Sequence, residues 1–408
     1  MFRLKNMVRS SKYCLSILFI FYAIVVYGQQ EVFTITGQLV DSKTQQSIPY
    51  ASIYLKDKPI GTTTNTEGYF VFHIPTKEKK TLVVISAMGY VSVERKSDDF
   101  SQDKVISLLP QINQLDEVLL DGSANKILKA REIVKKAYKN IALNYPTEPY
   151  FLEGFVRDLQ KEDETYVEFL ECAIKFKHQG SQVKKEPEVE LLGVRTNRFS
   201  RRHPWNENSE RKNSVIDLIE DDFIRFDYGP ILGKKGWKYE IEGIESYDNR
   251  LVYKITGMDE PFQKAVLYID AETFAFVRVE LTRKAKNGRS WQRRFTNGAQ
   301  QVYYNVIFEY QEYNGRFYLK YQKEEDIWKI YKGQDSNLLL FTKYPKKELF
   351  INNIIVDSVD NYQFLRNMNI NTSIENQTEN FDTEFWATYN VPQRTAKQSQ
   401  ILRELEEN

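Results

Sequence analysis

Apolar and polar positions alternate with period two over much of this chain, the pattern of strands that bury one face. The first such block covers residues 31–110. Val32-Phe33-Thr34-Ile35-Thr36-Gly37-Gln38-Leu39-Val40 alternates and is rich in β-branched residues, and Ala51–Leu55, Tyr69–Phe72, Thr81–Ser86 and Val105–Leu109 repeat the pattern in short runs. Turn residues separate these runs, which indicates a small β-sandwich. Asn65-Thr66-Glu67-Gly68 is one such turn. Gly68 is expected there at positive φ, and Gly89 at a similar turn or bulge.

The period then lengthens. Over 124–143, Ile127, Ala130, Val134, Ala137, Tyr138 and Ile141 fall on one helical face, with Ser123 as N-cap and Asn144-Tyr145-Pro146 as the stop. From about 150 to 365 the alternation returns. Leu170, Cys172, Ile174 and Phe176 alternate with Glu171, Lys175 and Lys177. Leu267–Asp270 and Val277–Leu281 flank a turn at Ala271-Glu272-Thr273. Val302 to Tyr310 lead to Asn314-Gly315, a type I′ hairpin signal, and Phe317, Leu319 and Tyr321 return. This predicts an antiparallel meander with one apolar and one polar face. A short helix is expected over 215–226. The apolar face needs a cover. The Ile127/Val134/Ile141 stripe, the 215–226 helix and the C-terminal segment with Phe381, Phe385 and Trp386 are the candidates.

Residues 1–28 have a different character. Arg3, Lys5, Arg9 and Lys12 precede a fifteen-residue apolar run from Tyr13 to Tyr27, short for a bilayer and followed by small and polar residues. A secretory signal peptide is expected, with a mature start near Gln29. Four of the 57 Lys+Arg leave with it, so 53 remain against 56 Asp+Glu, a net charge of −3. That balance gives no general attraction to nucleic acid. Cys14 also leaves, so Cys172 has no intrachain partner and reads as a buried structural thiol. No transmembrane helix is expected in the mature chain.

The segments Gly37–Asp41, Ile48–Leu55, Gly61–Phe70 and Ser86–Tyr90 occur in an order and spacing that resemble the carboxypeptidase-regulatory-like domain of exported Gram-negative proteins. The resemblance implies a seven-stranded transthyretin-like sandwich. Leu115-Asp116-Glu117-Val118-Leu119-Leu120 resembles the segment that follows this domain in TonB-dependent receptors, although too few residues remain here for a receptor's plug and barrel. The 150–365 region resembles, more loosely, the curved sheets of periplasmic lipoprotein carriers. Phe381–Pro392 resembles the closing segment of uncharacterised envelope proteins that carry the same first domain. The expected architecture is therefore mainly β. It comprises a signal peptide at 1–28, a sandwich at 29–110, a linker and helix at 111–149, a large curved antiparallel sheet at 150–365, and a C-terminal segment with a short helix at 366–408.

The chemistry is sparse. His73, His178 and His203 have no ligand spacing, so the zinc site of a carboxypeptidase is not present in the sequence. Gly229–Lys235 is not a phosphate loop, because three residues instead of four separate its glycines and Lys235 stands where Ser or Thr is required. Asp217, Glu220, Asp221 and Asp222 lack calcium-loop spacing and read as a charged helix face. Arg198, Arg201, Arg202 and Trp205 lie in a basic stretch that suits an acidic glycan or lipid headgroup. They form the expected ligand or partner surface. No catalytic residue, metal ligand or cofactor is assigned. The expected function is a non-catalytic envelope protein for binding or assembly, in the periplasm or at the outer membrane. A hydrolase acting on glycan or cell wall, or a soluble partner of an outer-membrane transporter, is the alternative. Glycans and apolar molecules are the expected ligands.

Overall fold

The structure is a computed structural model. It describes residues 31–101, 104–113, 129–181, 183, 185, 187–198, 214–225, 236–259, 262–286, 294–295, 297–357, 359, 362–369, 372, 374, 377 and 383–407. Residues 1–28, the 115–120 segment, Gly229–Lys235 and Phe381 lie outside the described residues.

The N-terminal unit is a seven-stranded sandwich. One sheet has the order β4-β1-β7, from Tyr69–Pro75, Val32–Asp41 and Val105–Leu108, with β1 antiparallel to β4 and parallel to β7. The other has the order β3-β2-β5-β6, from Gly61–Thr63, Ser52–Leu55, Leu82–Ser86 and Val93–Lys96. Alternate residues of both sheets meet between them. Leu39, Ile53, Leu55, Phe70, Phe72, Ile85 and Leu108 are completely buried there.

The second unit is one eleven-stranded antiparallel sheet. Its strands are β8 Ile112–Asn113, β9 Tyr150–Glu162, β10 Thr165–His178, β11 Glu188–Arg198, β12 Lys238–Tyr247, β13 Arg250–Asp259, β14 Gln263–Asp270, β15 Phe276–Lys284, β16 Ala299–Tyr313, β17 Arg316–Tyr331 and β18 Leu339–Ile355. Their spatial order is β11-β10-β9-β18-β17-β16-β15-β14-β13-β12-β8. Between β16 and β17, Asn314 and Gly315 both have positive φ, 50° and 73°, as a two-residue type I′ turn requires. The two-residue strand β8 was not foreseen. It carries the chain from the sandwich into the edge of the large sheet beside β12.

Helices α1 Ala130–Lys139, α2 Ile141–Asn144 and α3 Ser214–Glu220 cover one face of this sheet. Ile133, Val134, Ala137, Ile141, Val215 and Leu218 join Val156, Leu170, Cys172, Val279, Phe308 and Leu349 in one core. Cys172 is completely buried and unbonded, and burial pushes its thiol well above the usual range. The expected N-cap Ser123, and Ile127 of the stripe, lie outside the described residues. The helix begins at Ala130, because Lys129 is extended (φ −68°, ψ 148°) and the Glu132 carboxylate accepts from its N–H at 3.3 Å. Asn140 and Asn144 both donate to the carbonyl of Thr273 at 3.1 Å, which ties the helical pair to the β14–β15 turn.

The expectation of a single apolar face is corrected. On β9 and β10 both faces are buried. Phe155, Ala173, Tyr321 and Phe350 pack under Trp386 of α4 Thr383–Thr388, and Phe169 packs under Ile401 and Leu405 of α5 Ala396–Glu407. The C-terminal segment therefore covers the face opposite α1 and α3.

Candidate functional site

The sandwich and the large sheet meet along a seam of tight turns. Asp248 and Asn249, the two-residue loop between β12 and β13, have φ of 49° and 60°, and Asp57 in the β2–β3 turn has 59°. The Tyr54 hydroxyl donates to Asp248 Oδ1 at 2.5 Å, and the Asp248 N–H donates to Ser86 Oγ at 3.1 Å. Burial, reinforced by Asp248, raises the Tyr54 phenol well above its usual range, so it stays a donor. Beside these contacts the backbone N–H of Gly89 donates to the Ser246 carbonyl at 2.8 Å, and the N–H of Ile354 to Pro59 at 3.2 Å.

These turns enclose a cleft of about 270 Å³ with walls from both units. Its three cations are paired, Lys56 with Glu94 at 2.7 Å, Lys58 with Glu78 at 3.5 Å and Arg250 with Glu312. Asp57 and Asp248 line it without a cation partner among the described residues. Among the described residues the side chains of Asn249, Gln311 and Asn314 have no hydrogen-bond partner, and Tyr313 offers a ring beside them. Neutral donors and acceptors next to aromatic faces suit a polyhydroxylated ligand better than an ion.

Inside the sheet, ionisable groups are held in tight sets. Glu309 accepts from Lys320 Nζ at 2.5 Å, Tyr247 Oη at 2.9 Å and Arg278 at 2.9 Å, and Arg278 also pairs with Glu280 at 2.8 Å. Two cations meet two carboxylates, so this set is neutral. Burial alone would raise the Glu309 carboxyl, but Lys320 and Arg278 hold it low. On the helix-covered face Asp222 is buried and lies beyond the end of α3, where a charged helix face was expected. It accepts from Tyr310 Oη at 2.6 Å and pairs with His178 Nε2 at 3.1 Å, while the Gly180 N–H donates to His178 Nδ1 at 3.1 Å. That last bond leaves the proton on Nε2, facing Asp222.

Acidic residues also gather beside α3. Asp221 is pushed up to about 6 by burial, then by Glu324 and Asp217. Asp326 is pushed up to about 8 by burial and by Glu324, with which it shares a hydrogen bond. Lys347 Nζ lies 3.4 Å from Glu324. Among the described residues no group of three or more His, Cys, Asp or Glu is arranged to hold a metal ion.

Gly68 has φ +78° in the β3–β4 turn, and Gly89 has φ +81° at the seam. Arg198 ends β11 opposite Glu168. Its side chain, and Arg201, Arg202 and Trp205, lie outside the described residues. The sequence reading missed the seam cleft altogether. The Asp248-Asn249 dipeptide between two alternating runs was the available signal.

Three comparisons with known proteins bear on the chain. No curated protein matches it. A LolA superfamily protein from Nitrosomonas europaea is 12% identical, covering 57% of this chain and 95% of its own, at a TM-score of 0.24. A DUF1329 family protein from Desulfovibrio piger is 10% identical, covering 57% and 94%, at 0.26. The MucA/MucB complex of Pseudomonas aeruginosa contributes a chain 7% identical, covering 54% and 93%, at 0.17. At such TM-scores these likenesses carry no argument. The sequence-family match is local, and within it residues 35–120 are a CarboxypepD_reg-like domain.

Proposed function

We propose that this chain is a non-catalytic, exported envelope protein that binds a polyhydroxylated ligand, such as a cell-envelope glycan, in the seam between its sandwich and its large sheet. The carrying observation is the composite cleft, where fixed ion pairs frame amides that have no protein partner. The leader at 1–28 and the regulatory-like domain support export to the periplasm or the outer membrane. The Leu115–Leu120 segment supports a kinship with TonB-dependent receptor extensions and an outer-membrane transporter as assembly partner. The test is calorimetric titration of the purified protein with soluble muropeptides and lipopolysaccharide core oligosaccharides. Saturable binding that Asn249→Leu and Gln311→Leu weaken supports the reading. Binding unaffected by both substitutions, or no binding by any of these glycans, overturns it.

A second reading, a hydrolase, has one observation in its favour: the raised Asp221 and Asp326 carboxyls. A glycosidase needs its two carboxyls about 5–9.5 Å apart. The carboxyl hydrogen-bonded to Asp326, Glu324, is too close to it to serve as the second member of such a pair.

A further inference from the structure

A second ionic set lies on the face covered by the C-terminal segment, and unlike the Glu309 set it does not balance. The strand register places Arg157 of β9, Glu171 of β10 and Arg195 of β11 side by side in one row. Glu171 is completely buried. Its Oε1 accepts from Arg157 at 2.7 and 2.9 Å, and its Oε2 accepts from Arg195 Nε at 2.7 Å. Arg394, from the turn before α5, descends onto the same Oε2, with Nε at 3.0 Å. Burial would raise this carboxyl, but Arg157, Arg394 and Arg195 together hold it at about 2.

The three arginines are not equivalent. Arg157 is spent, since its Nη2 also donates to Pro392 O at 3.0 Å and its Nη1 donates to Gln398 Oε1 at 3.3 Å. Arg195 and Arg394 have no acceptor besides Glu171 among the described residues, although each guanidinium carries five N–H donors. Both line a pocket of about 130 Å³ together with Phe169, Glu171, Thr196, Leu402 and Glu406. Counting Glu406, three guanidiniums still face only two carboxylates. Desolvation lowers the Arg195 pKa, Glu171 opposes that shift, and the neighbouring guanidiniums of Arg394 and Arg157 add to it. Arg195 also sits over the Trp386 ring, its Cζ 4.3 Å from the centroid, and this contact and its bond to Glu171 hold the guanidinium in place before any ligand arrives.

We propose that this pocket binds a phosphate group through the open forks of Arg195 and Arg394. A phosphoryl group presents three oxygens and up to two negative charges, which fits two forks better than a carboxylate does. The pocket's volume accommodates a phosphate group. The group is either free phosphate or the end of a phosphorylated headgroup.

The test uses the purified protein in a phosphate-free, low-salt buffer. Melting temperature and calorimetric heat are followed with inorganic phosphate, glycerol 3-phosphate and acetate. Phosphate and glycerol 3-phosphate should bind saturably, and acetate should bind more weakly. Tighter binding of glycerol 3-phosphate assigns the headgroup source, and equal or weaker binding assigns free phosphate. Arg394→Gln should weaken binding by about tenfold or more, the loss of one charged hydrogen-bonding fork. Leu402→Trp fills the pocket without changing a charge and should abolish binding in a protein that melts normally. The proposal is overturned if neither phosphate compound binds, if acetate binds as well as phosphate, or if Leu402→Trp binds like the parent.

Discussion

Tyr50 of the sandwich stacks on Tyr321 of β17, with ring centroids 5.1 Å apart and planes inclined by 30°. The Tyr321 hydroxyl in turn donates to the buried Glu348 at 2.9 Å. Burial and Glu348 push the Tyr50 phenol up to about 12, so both rings stay neutral. An aromatic pair of this kind contributes about 0.5–1.5 kcal/mol beyond the area it buries. Tyr50→Ala should therefore weaken the docking of the sandwich more than the sandwich itself. Differential scanning calorimetry should show one transition in the parent resolving into two in the variant. A single transition at an unchanged temperature would show that the stack does not couple the units.

Gly68 and Gly89 share a left-handed backbone but should differ in tolerance. A Cβ on Gly68 would stand 2.5 Å from the carbonyl oxygen of Leu39, whereas on Gly89 its nearest neighbour is Glu245 Oε2 at 3.9 Å. Gly89→Ala then costs only the left-handed penalty, about 1–2 kcal/mol. Gly68→Ala adds a collision with backbone that cannot rotate away. Thermal melts should place Gly68→Ala clearly below Gly89→Ala. Equal melting temperatures would mean that the β3–β4 turn yields freely.

The strands and their hairpins were legible because period-two alternation is a local signal. Asn314-Gly315 and the 267–274 turn are written in adjacent residues. The second buried face was not legible. Phe155, Phe169 and Ala173 share their side of the strands with the polar Glu153, Arg157, Glu171 and Lys175, and only the return of Trp386 and Ile401 from more than 200 positions away buries them. The same distance hid the anion pocket. Glu171 and Lys175 look alike in the alternation and both are buried, Glu171 under Arg394 and Lys175 paired with Glu153 at 3.1 Å beside the Tyr362 ring.

Val134 tests whether α1 is structural. It is completely buried against the sheet, whereas Lys135 and Lys139 of the same helix are exposed. Val134→Asp places an unpaired carboxyl in that core and should cost several kcal/mol, while Lys135→Ala should stay within about 0.5 kcal/mol of the parent. Urea denaturation measures both. If Val134→Asp unfolds at the parent's midpoint, the helix is a detachable linker.

Asp326 should make the protein less stable as the pH rises. Its carboxyl ordinarily titrates at 3.8 and is held at about 8 in the fold by burial and Glu324. Between those values the unfolded chain has lost the proton and the folded chain keeps it. The unfolded state binds fewer protons, so stability falls with pH across this window and levels off above it. Asp326→Asn removes the titration but can keep both contacts. Its amide oxygen can still accept from Gln301 Nε2, and its amide nitrogen can donate to Glu324 in place of the acid proton. The variant should match the parent near pH 4, exceed it increasingly toward pH 8, and show a flatter stability curve between. Parallel curves for the two proteins across that range would place Asp326 in water, ionised like any surface aspartate.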